Sequence, residues 1–166
     1  MNRLVRDISA WNLSRKMRRN HGRKRKSLVI LLDSNTIDLI ENFRRLGEDL
    51  EEGLWETSMI YCGEQDQHQE SDLTCFSLKD VSWNGRIKNK PVADSLNIGY
   101  EILIAFTSGE NKSAGFLVSA IRADLKLGIN ERVFRNDLDL TIAVPVGEPE
   151  TFLHETRKYL KKIRSI

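Results

Sequence analysis

Residues 27–33 are Ser-Leu-Val-Ile-Leu-Leu-Asp, a continuous apolar run that ends in a carboxylate. A run of this kind is typical of a strand that is buried on both faces of a parallel sheet. Asp33 or Ser34 can cap a helix over residues 36–50, in which Ile37 and Phe43 lie on one face. The segment therefore predicts a buried strand followed by a helix.

Strands and helices alternate along the rest of the chain. Apolar runs predict strands at 57–62, 73–77, 102–106, 125–129 and 138–144, and helical periodicity predicts helices at 91–99, 107–123 and 149–163. Residues 107–110, Thr-Ser-Gly-Glu, have the spacing of a capping box, so we expect a helix to begin there. Asn84-Gly85 predicts a hairpin with a type I′ turn. Trp83 beside it could face a ligand, but a hairpin tryptophan more commonly covers the sheet edge.

These elements predict an α/β protein. Alternation of strand and helix implies parallel β-α-β units with right-handed crossovers and helices on both faces of the sheet. We expect a three-layer α/β/α sandwich with a mostly parallel sheet of five to six strands, a small β-hairpin and a basic N-terminal helix. The 166 residues fit one domain with a full core.

Positive charge is concentrated at the N-terminus. Residues 1–26 carry ten Lys/Arg and one acid, whereas residues 27–166 carry 16 basic and 23 acidic side chains. The spacing of Leu4, Ile8 and Trp11 predicts a helix over 3–25 that is apolar at its start and cationic at its end. The chain is thus expected to consist of a basic helical arm, 1–26, and an α/β domain, 27–166.

Composition points to a soluble protein of the cytoplasm. The longest apolar runs are too short to span a bilayer, and the basic N-terminus lacks the apolar stretch of a secretory signal. Cys62 and Cys75 lie in strand-like segments, and we expect two reduced thiols rather than a disulfide. The three histidines are dispersed, and none has metal-ligand spacing, so neither a metal nor a cofactor is expected and no catalytic residue is identified.

Several short segments carry a resemblance to a known family. They are the strand 27–33 with the basic helix before it, and the segments 79–85, 100–104, 123–128 and 138–142. The chain resembles a family of uncharacterised bacterial α/β proteins of the Bacteroidetes type, a domain of unknown function to which no activity is assigned. Residues 100–129 are also faintly similar to the N-terminal Rossmann-like half of heptosyltransferase-type glycosyltransferases. The C-terminal half, which holds the sugar nucleotide in those enzymes, has no counterpart here.

Two places are candidates for ligand binding in the α/β domain. Asp33 and Ser34 follow the first strand, and Thr107 and Ser108 follow the strand at 102–106. Ligands of open α/β sheets bind at such carboxyl ends of strands, where helix N-termini can hold phosphates. Capping of the following helices is the more common role of such residues. A small-ligand enzyme or the remnant of one, related to nucleotide-sugar enzymes, is therefore an alternative function.

The basic arm favours binding over catalysis. Clustered Lys and Arg release counterions from phosphates, which predicts salt-sensitive binding to RNA or a ribonucleoprotein. The candidate contacts are Arg15, Lys16, Arg18, Arg19, Arg23, Lys24, Arg25 and Lys26. The arm could instead lie on an anionic membrane through Leu4–Trp11, contact an acidic protein, or fold back onto the acidic domain.

Overall fold

The computed structural model describes residues 27–49, 55–64, 73–129, 132–134 and 137–164. The predicted helix over 3–25 and all eight candidate cations of the arm lie outside these residues, as does most of the polar loop predicted at 63–72. The strands are β1 Ser27–Leu32, β2 Glu56–Cys62, β3 Thr74–Phe76, β4 Tyr100–Ala105, β5 Ala123–Ile129 and β6 Leu140–Ile142. The α-helices of the described residues are α1 Ile40–Asp49, α2 Lys90–Asn97, α3 Lys112–Ala120 and α4 Pro149–Arg164.

The six strands form one parallel sheet in the order β3-β2-β1-β4-β5-β6. All six residues of β1 are buried, as expected for a strand with parallel neighbours on both sides and helices on both faces. The predicted α/β class and sandwich arrangement are thereby confirmed.

The helices cover both faces of the sheet. From β1 the chain moves outward through α1 to β2, whereas from β4 it moves in the opposite direction through α3 to β5. Because both crossovers are right-handed, α1 and α3 lie on opposite faces. Aromatic rings fill the two interfaces. Phe43 of α1 and Phe152 of α4 meet Phe106, with Phe106 and Phe152 centroids 4.4 Å apart. On the other face Phe76 stacks on Phe116 of α3.

Two predicted boundaries were wrong. The helix expected to begin at Thr107 begins at Lys112, and its N-cap is Asn111, whose side chain accepts from Ala114 N–H. The hairpin is reduced to one antiparallel bridge, Val81 with Ile87. Its turn bond runs from Gly85 N–H to the Ser82 carbonyl, so Trp83 and Asn84 are the central residues rather than Asn84 and Gly85.

The strand order positions one crevice. β1 and β4 are neighbours, and their following loops leave toward opposite faces of the sheet. Such a place, where the connections on either side leave in opposite directions, is called a switch point. Open α/β sheets bind ligands there, at the carboxyl ends of the strands.

Candidate functional site

The switch point brings Asp33 and Ser108 together. Asp33 follows β1 and is 2% exposed, and its Oδ2 accepts hydrogen bonds from the backbone N–H and the hydroxyl of Ser108, both at 2.7 Å. Two of the four residues predicted for a ligand site are therefore bonded to each other. The carboxylate joins the loop after β1 to the loop after β4.

The other oxygen of Asp33 holds its own loop. Oδ1 accepts from Asn35 N–H at 3.0 Å, and the Thr36 hydroxyl lies 3.3 Å from it. That hydroxyl also accepts from Asp33 N–H at 2.9 Å and lies 3.0 Å from the carbonyl oxygen of Phe106. Thr36 is thus a second link between β1 and β4, and the sequence analysis did not single it out.

Asn111 links the end of a third strand, β2, to this cluster. Its Nδ2 donates to the carbonyl oxygen of Cys62, at the end of β2, at 2.8 Å, and lies 3.4 Å from Asp33 Oδ2. Its Oδ1 caps α3. One amide side chain therefore fixes the first turn of α3 against the ends of β1 and β2. An Asn immediately before a helical segment is a capping signal that could have been recognised from the sequence.

The remaining two candidates do not join the cluster. Ser34 is exposed and lies near the phenol of Tyr61, where it lowers the pKa that burial raises. Thr107 is fully buried, and its hydroxyl makes no hydrogen bond within the described residues. Thr107 therefore neither caps the helix nor faces Asp33 as a partner.

The charge of the cluster affects which ligands could bind at the switch point. The N-terminus of a helix that follows a strand attracts anions, because its N–H groups and the helix dipole favour negative charge. Here the carboxylate of Asp33 lies beside that position, bonded to Ser108 in the loop before α3 and 3.4 Å from the side-chain amide of its N-cap, Asn111. A phosphate placed at the N-terminus of α3 would bring a second negative charge close to a buried one. The chain's own carboxylate thus disfavours an anionic ligand at this end of the crevice.

The thiols and the phenol beside the cluster are not activated. Burial raises the pKa of Cys62 well above its ordinary value, and the nearby Asp33 and Cys75 raise it further. Burial and then Asp33 also raise the pKa of Tyr61. A protonated thiol is a poor nucleophile. Both cysteines are free, as expected, and the described residues contain no group of three His, Cys, Asp or Glu that could hold a metal.

A second feature lies beyond β3. Residues 82–86, which we call the Trp83 loop, present an indole that is 89% exposed. The expectation that Trp83 covers the sheet edge was wrong. Four exposed cations lie in the same stretch of chain, Lys79, Arg86, Lys88 and Lys90. Lys79 forms an ion pair with Glu64.

The α1–α4 face carries a shallow groove. Arg45, His154 and Arg157 line it together with Glu150, and Arg157 is paired with Asp49 at 2.9 Å. The groove holds charges of both signs on exposed or half-buried side chains, so it has no defined ligand preference. No helix in the described part of the chain combines the length and the apolar character that a membrane span requires.

One comparison with known proteins gives a match. The model of a family described as "Family of unknown function (DUF6913)" matches residues 4–163, so the chain belongs to that family. No curated protein and no solved structure matches the chain. The membership agrees with the resemblance to an uncharacterised family.

Proposed function

We propose that this member of a family of unknown function is a non-enzymatic binding protein whose cationic N-terminal segment contacts RNA or a ribonucleoprotein. The observation that supports this proposal is the distribution of charge along the chain. Ten Lys/Arg and one acid occupy residues 1–26, while the remaining chain has more acids than bases. The proposed contacts are Arg15, Lys16, Arg18, Arg19, Arg23, Lys24, Arg25 and Lys26.

Counterion release provides the driving force. Each Lys or Arg that replaces a condensed cation on a phosphate makes the logarithm of the affinity fall with the logarithm of salt concentration, by about 0.7 per contact on single strands. Such binding needs no base-reading pocket and no catalytic group. Because the rest of the chain carries more acids than bases, the cationic segment is expected to supply most of the affinity for a polyanion.

The switch point supports a function outside the crevice. Nucleotide-binding α/β proteins keep that position open for phosphate. In this chain Asp33 places a carboxylate beside it, and the neighbouring thiol of Cys62 has a raised pKa. This arrangement favours a structural role for Asp33, Ser108 and Asn111.

The test compares two variants of the full chain with equal charge loss. One replaces Arg18, Arg19, Arg23, Lys24 and Arg25 with Gln. The control replaces five exposed cations of the described domain, Arg44, Arg45, Lys112, Lys158 and Lys161, with Gln. Affinity for a single-stranded RNA of about 20 nucleotides is measured from ~50 to ~200 mM salt, the range over which phosphate contacts dominate.

We expect the first variant to lose at least about 100-fold in affinity at the lowest salt and its salt slope to shrink by about 3.5. The control should change far less. Equal losses in both variants, or no binding by the unaltered chain at ~50 mM salt, where such contacts are strong, would overturn the proposal.

The strand order favours a second candidate, a small-ligand protein or enzyme remnant at the switch point near Asp33 and Thr107-Ser108. A nucleotide or nucleotide sugar that raises the melting temperature of the wild-type chain, but not of Asp33→Asn, would support it. Peripheral attachment through Leu4–Trp11 predicts instead that the chain floats with anionic vesicles and that RNA does not compete. Cytoplasmic location and a bacterial, Bacteroidetes-type source stay predictions from the sequence.

A further inference from the structure

The Trp83 loop presents a large apolar ring to solvent. Trp83 is 89% exposed, whereas Trp55, the other tryptophan of the described residues, is 9% exposed. Tryptophan is highly buried on average because its ring carries a large apolar area. A ring held in solvent is therefore available for contact with a ligand.

The loop is held in shape. Ser82 N–H donates to the Arg86 carbonyl and Gly85 N–H to the Ser82 carbonyl, both at 2.8 Å. Gly85 has a φ of 79°, the left-handed conformation that closes a three-residue loop. Arg86 N–H donates to Asn84 Oδ1 at 3.1 Å. The ring is thus presented by an ordered turn, which reduces the entropy lost on binding.

Two buried residues anchor this turn. Val81 and Ile87 form the antiparallel bridge and are 6% and 8% exposed. One residue further out, Lys88 N–H donates to the Asp80 carbonyl at 2.8 Å. Replacement of Trp83, which has little packing of its own, should therefore leave the loop folded.

Charge identifies the partner. Between residues 79 and 90 the chain carries four cations and a single acid, in a domain where acids are in excess. That acid, Asp80, accepts a hydrogen bond from Ser77 N–H at 2.8 Å in a capping box. Arg86, the last residue of the loop, and Lys88, two residues further on, are both exposed. Aromatic rings interleaved with cations are typical of surfaces that bind single-stranded nucleic acid.

We propose that Trp83 stacks on a base of single-stranded RNA while Arg86 and Lys88 contact the flanking phosphates. This inference rests on the proposed function and names a second contact surface for the same ligand. Every base has a flat π-face, so the contact selects unpaired strands over duplex with little sequence preference.

The cationic segment joins the domain at Ser27, where β1 begins, and the Trp83 loop follows β3, at the carboxyl edge. Six residues of β1 span about 20 Å at 3.3 Å per residue. The RNA used to test the inference should therefore be longer than this distance.

The test measures the affinity of the full chain for a 20-nucleotide oligouridine and for heparin, a polyanion without bases. The variants are Trp83→Ala, Trp83→Phe and the control Ile98→Ala. Ile98 is 53% exposed and lies before β4, at the amino edge where the cationic segment also enters, but its aliphatic side chain has neither a charge nor a π-face to lose. Stacking on one base predicts about a tenfold loss of oligouridine affinity in Trp83→Ala, with heparin affinity unchanged. Trp83→Phe should keep most of the affinity, and Ile98→Ala all of it.

Three results would overturn the inference. If Trp83→Ala binds oligouridine as well as the wild-type chain does, while neutralising the five arm cations abolishes binding, the stacking contact is wrong and the proposed function stands. If Trp83→Ala loses oligouridine and heparin affinity equally, base stacking is excluded. If the wild-type chain binds neither polyanion, both proposals fail.

Discussion

The carboxylate of Asp33 and the backbone N–H of Ser108 are joined by a 2.7 Å hydrogen bond between residues 75 positions apart in the chain. The bond joins the loop after β1 to the loop after β4, at the switch point of the sheet. Hydrogen bonds to an ionised, buried acceptor are stronger than neutral ones, and their loss leaves several donors unpaired. Asp33 is therefore expected to contribute to stability rather than to a reaction.

Replacement of Asp33 with Ala should lower the free energy of unfolding by about 2–4 kcal/mol, because Ser108 N–H and the neighbouring donors lose their acceptor. Asp33→Asn should cost less, since an amide oxygen can still accept. Urea denaturation of the full chain measures both. Ser34→Ala, at the exposed neighbouring position, is the control and should change stability by less than about 0.5 kcal/mol. Equal stability of Asp33→Ala and wild type would show that the bond to Ser108 is dispensable.

Asn111→Ala should destabilise the chain by about 1–2 kcal/mol. The variant removes the N-cap of α3 and leaves the Cys62 carbonyl without its side-chain donor. Asn97→Ala is a matched control, because Asn97 is exposed near the end of α2 and donates to the carbonyl oxygen of Ala93 in its own helix. Thermal denaturation should separate the two. A loss as large in Asn97→Ala would mean that the cap itself adds nothing.

Part of this cluster could be predicted from the sequence, because the signals for the two strand ends are local. The apolar run before Asp33 and the run before Phe106 identified two strand ends, and parallel strands place such ends at one edge. The start of α3 was misplaced because the capping-box spacing at Thr107 is local, whereas Ser108 N–H is bound by a carboxylate 75 residues away. Nothing near Ser108 in the chain indicates that partner.

The Trp83 loop is a second place where a local sequence signal gave the wrong structure. A two-residue turn centred on Asn84-Gly85 would place Val81 opposite Lys88. The observed three-residue loop places Val81 opposite Ile87 and buries both side chains. The register therefore follows hydrophobic pairing rather than the strongest turn signal. Trp83 becomes a central turn residue, and its ring faces solvent.

The raised pKa of Cys62 predicts how stability depends on pH. The folded thiol holds its proton above the ordinary pKa of 9.0, so the folded state binds more protons than the unfolded state at pH values above 9.0. The contribution of Cys62 is fully present below pH 9.0 and declines as pH rises toward the folded pKa. The slope reaches about 1.4 kcal/mol per pH unit.

Comparison of the wild-type chain with Cys62→Ala isolates this effect. Cys75 and Tyr61, whose pKa values are also raised, and Lys126, whose pKa is lowered by burial, are common to both proteins. Between pH 8 and about 10.5, a range that brackets the ordinary thiol pKa, the unfolding free energy of wild type should fall more steeply than that of Cys62→Ala. Parallel curves would mean that the thiol ionises as readily in the folded state as in the unfolded state.

Acidic side chains at the amino edge of the sheet should weaken polyanion binding. Glu56, Glu101 and Asp124 lie at the starts of β2, β4 and β5, the edge at which the cationic segment enters β1. Their charge opposes an incoming polyanion and attracts the cationic segment, and both effects act within the screening distance of about 10 Å at 0.1 M salt. The triple variant Glu56→Gln, Glu101→Gln, Asp124→Asn should therefore bind single-stranded RNA several-fold more tightly at ~50 mM salt, and the gain should shrink as salt is added.

Three carboxylates on the helices, Glu41, Asp94 and Glu155, provide the control of equal charge. Because they lie on helices rather than at the starts of the strands beside β1, their neutralisation should raise RNA affinity less at every salt concentration. A gain of the same size in both triple variants would show that only net charge matters. A loss of affinity in the amino-edge variant would show that these carboxylates hold the cationic segment in the orientation that RNA requires. Fluorescence anisotropy of a labelled 20-nucleotide RNA distinguishes the three outcomes.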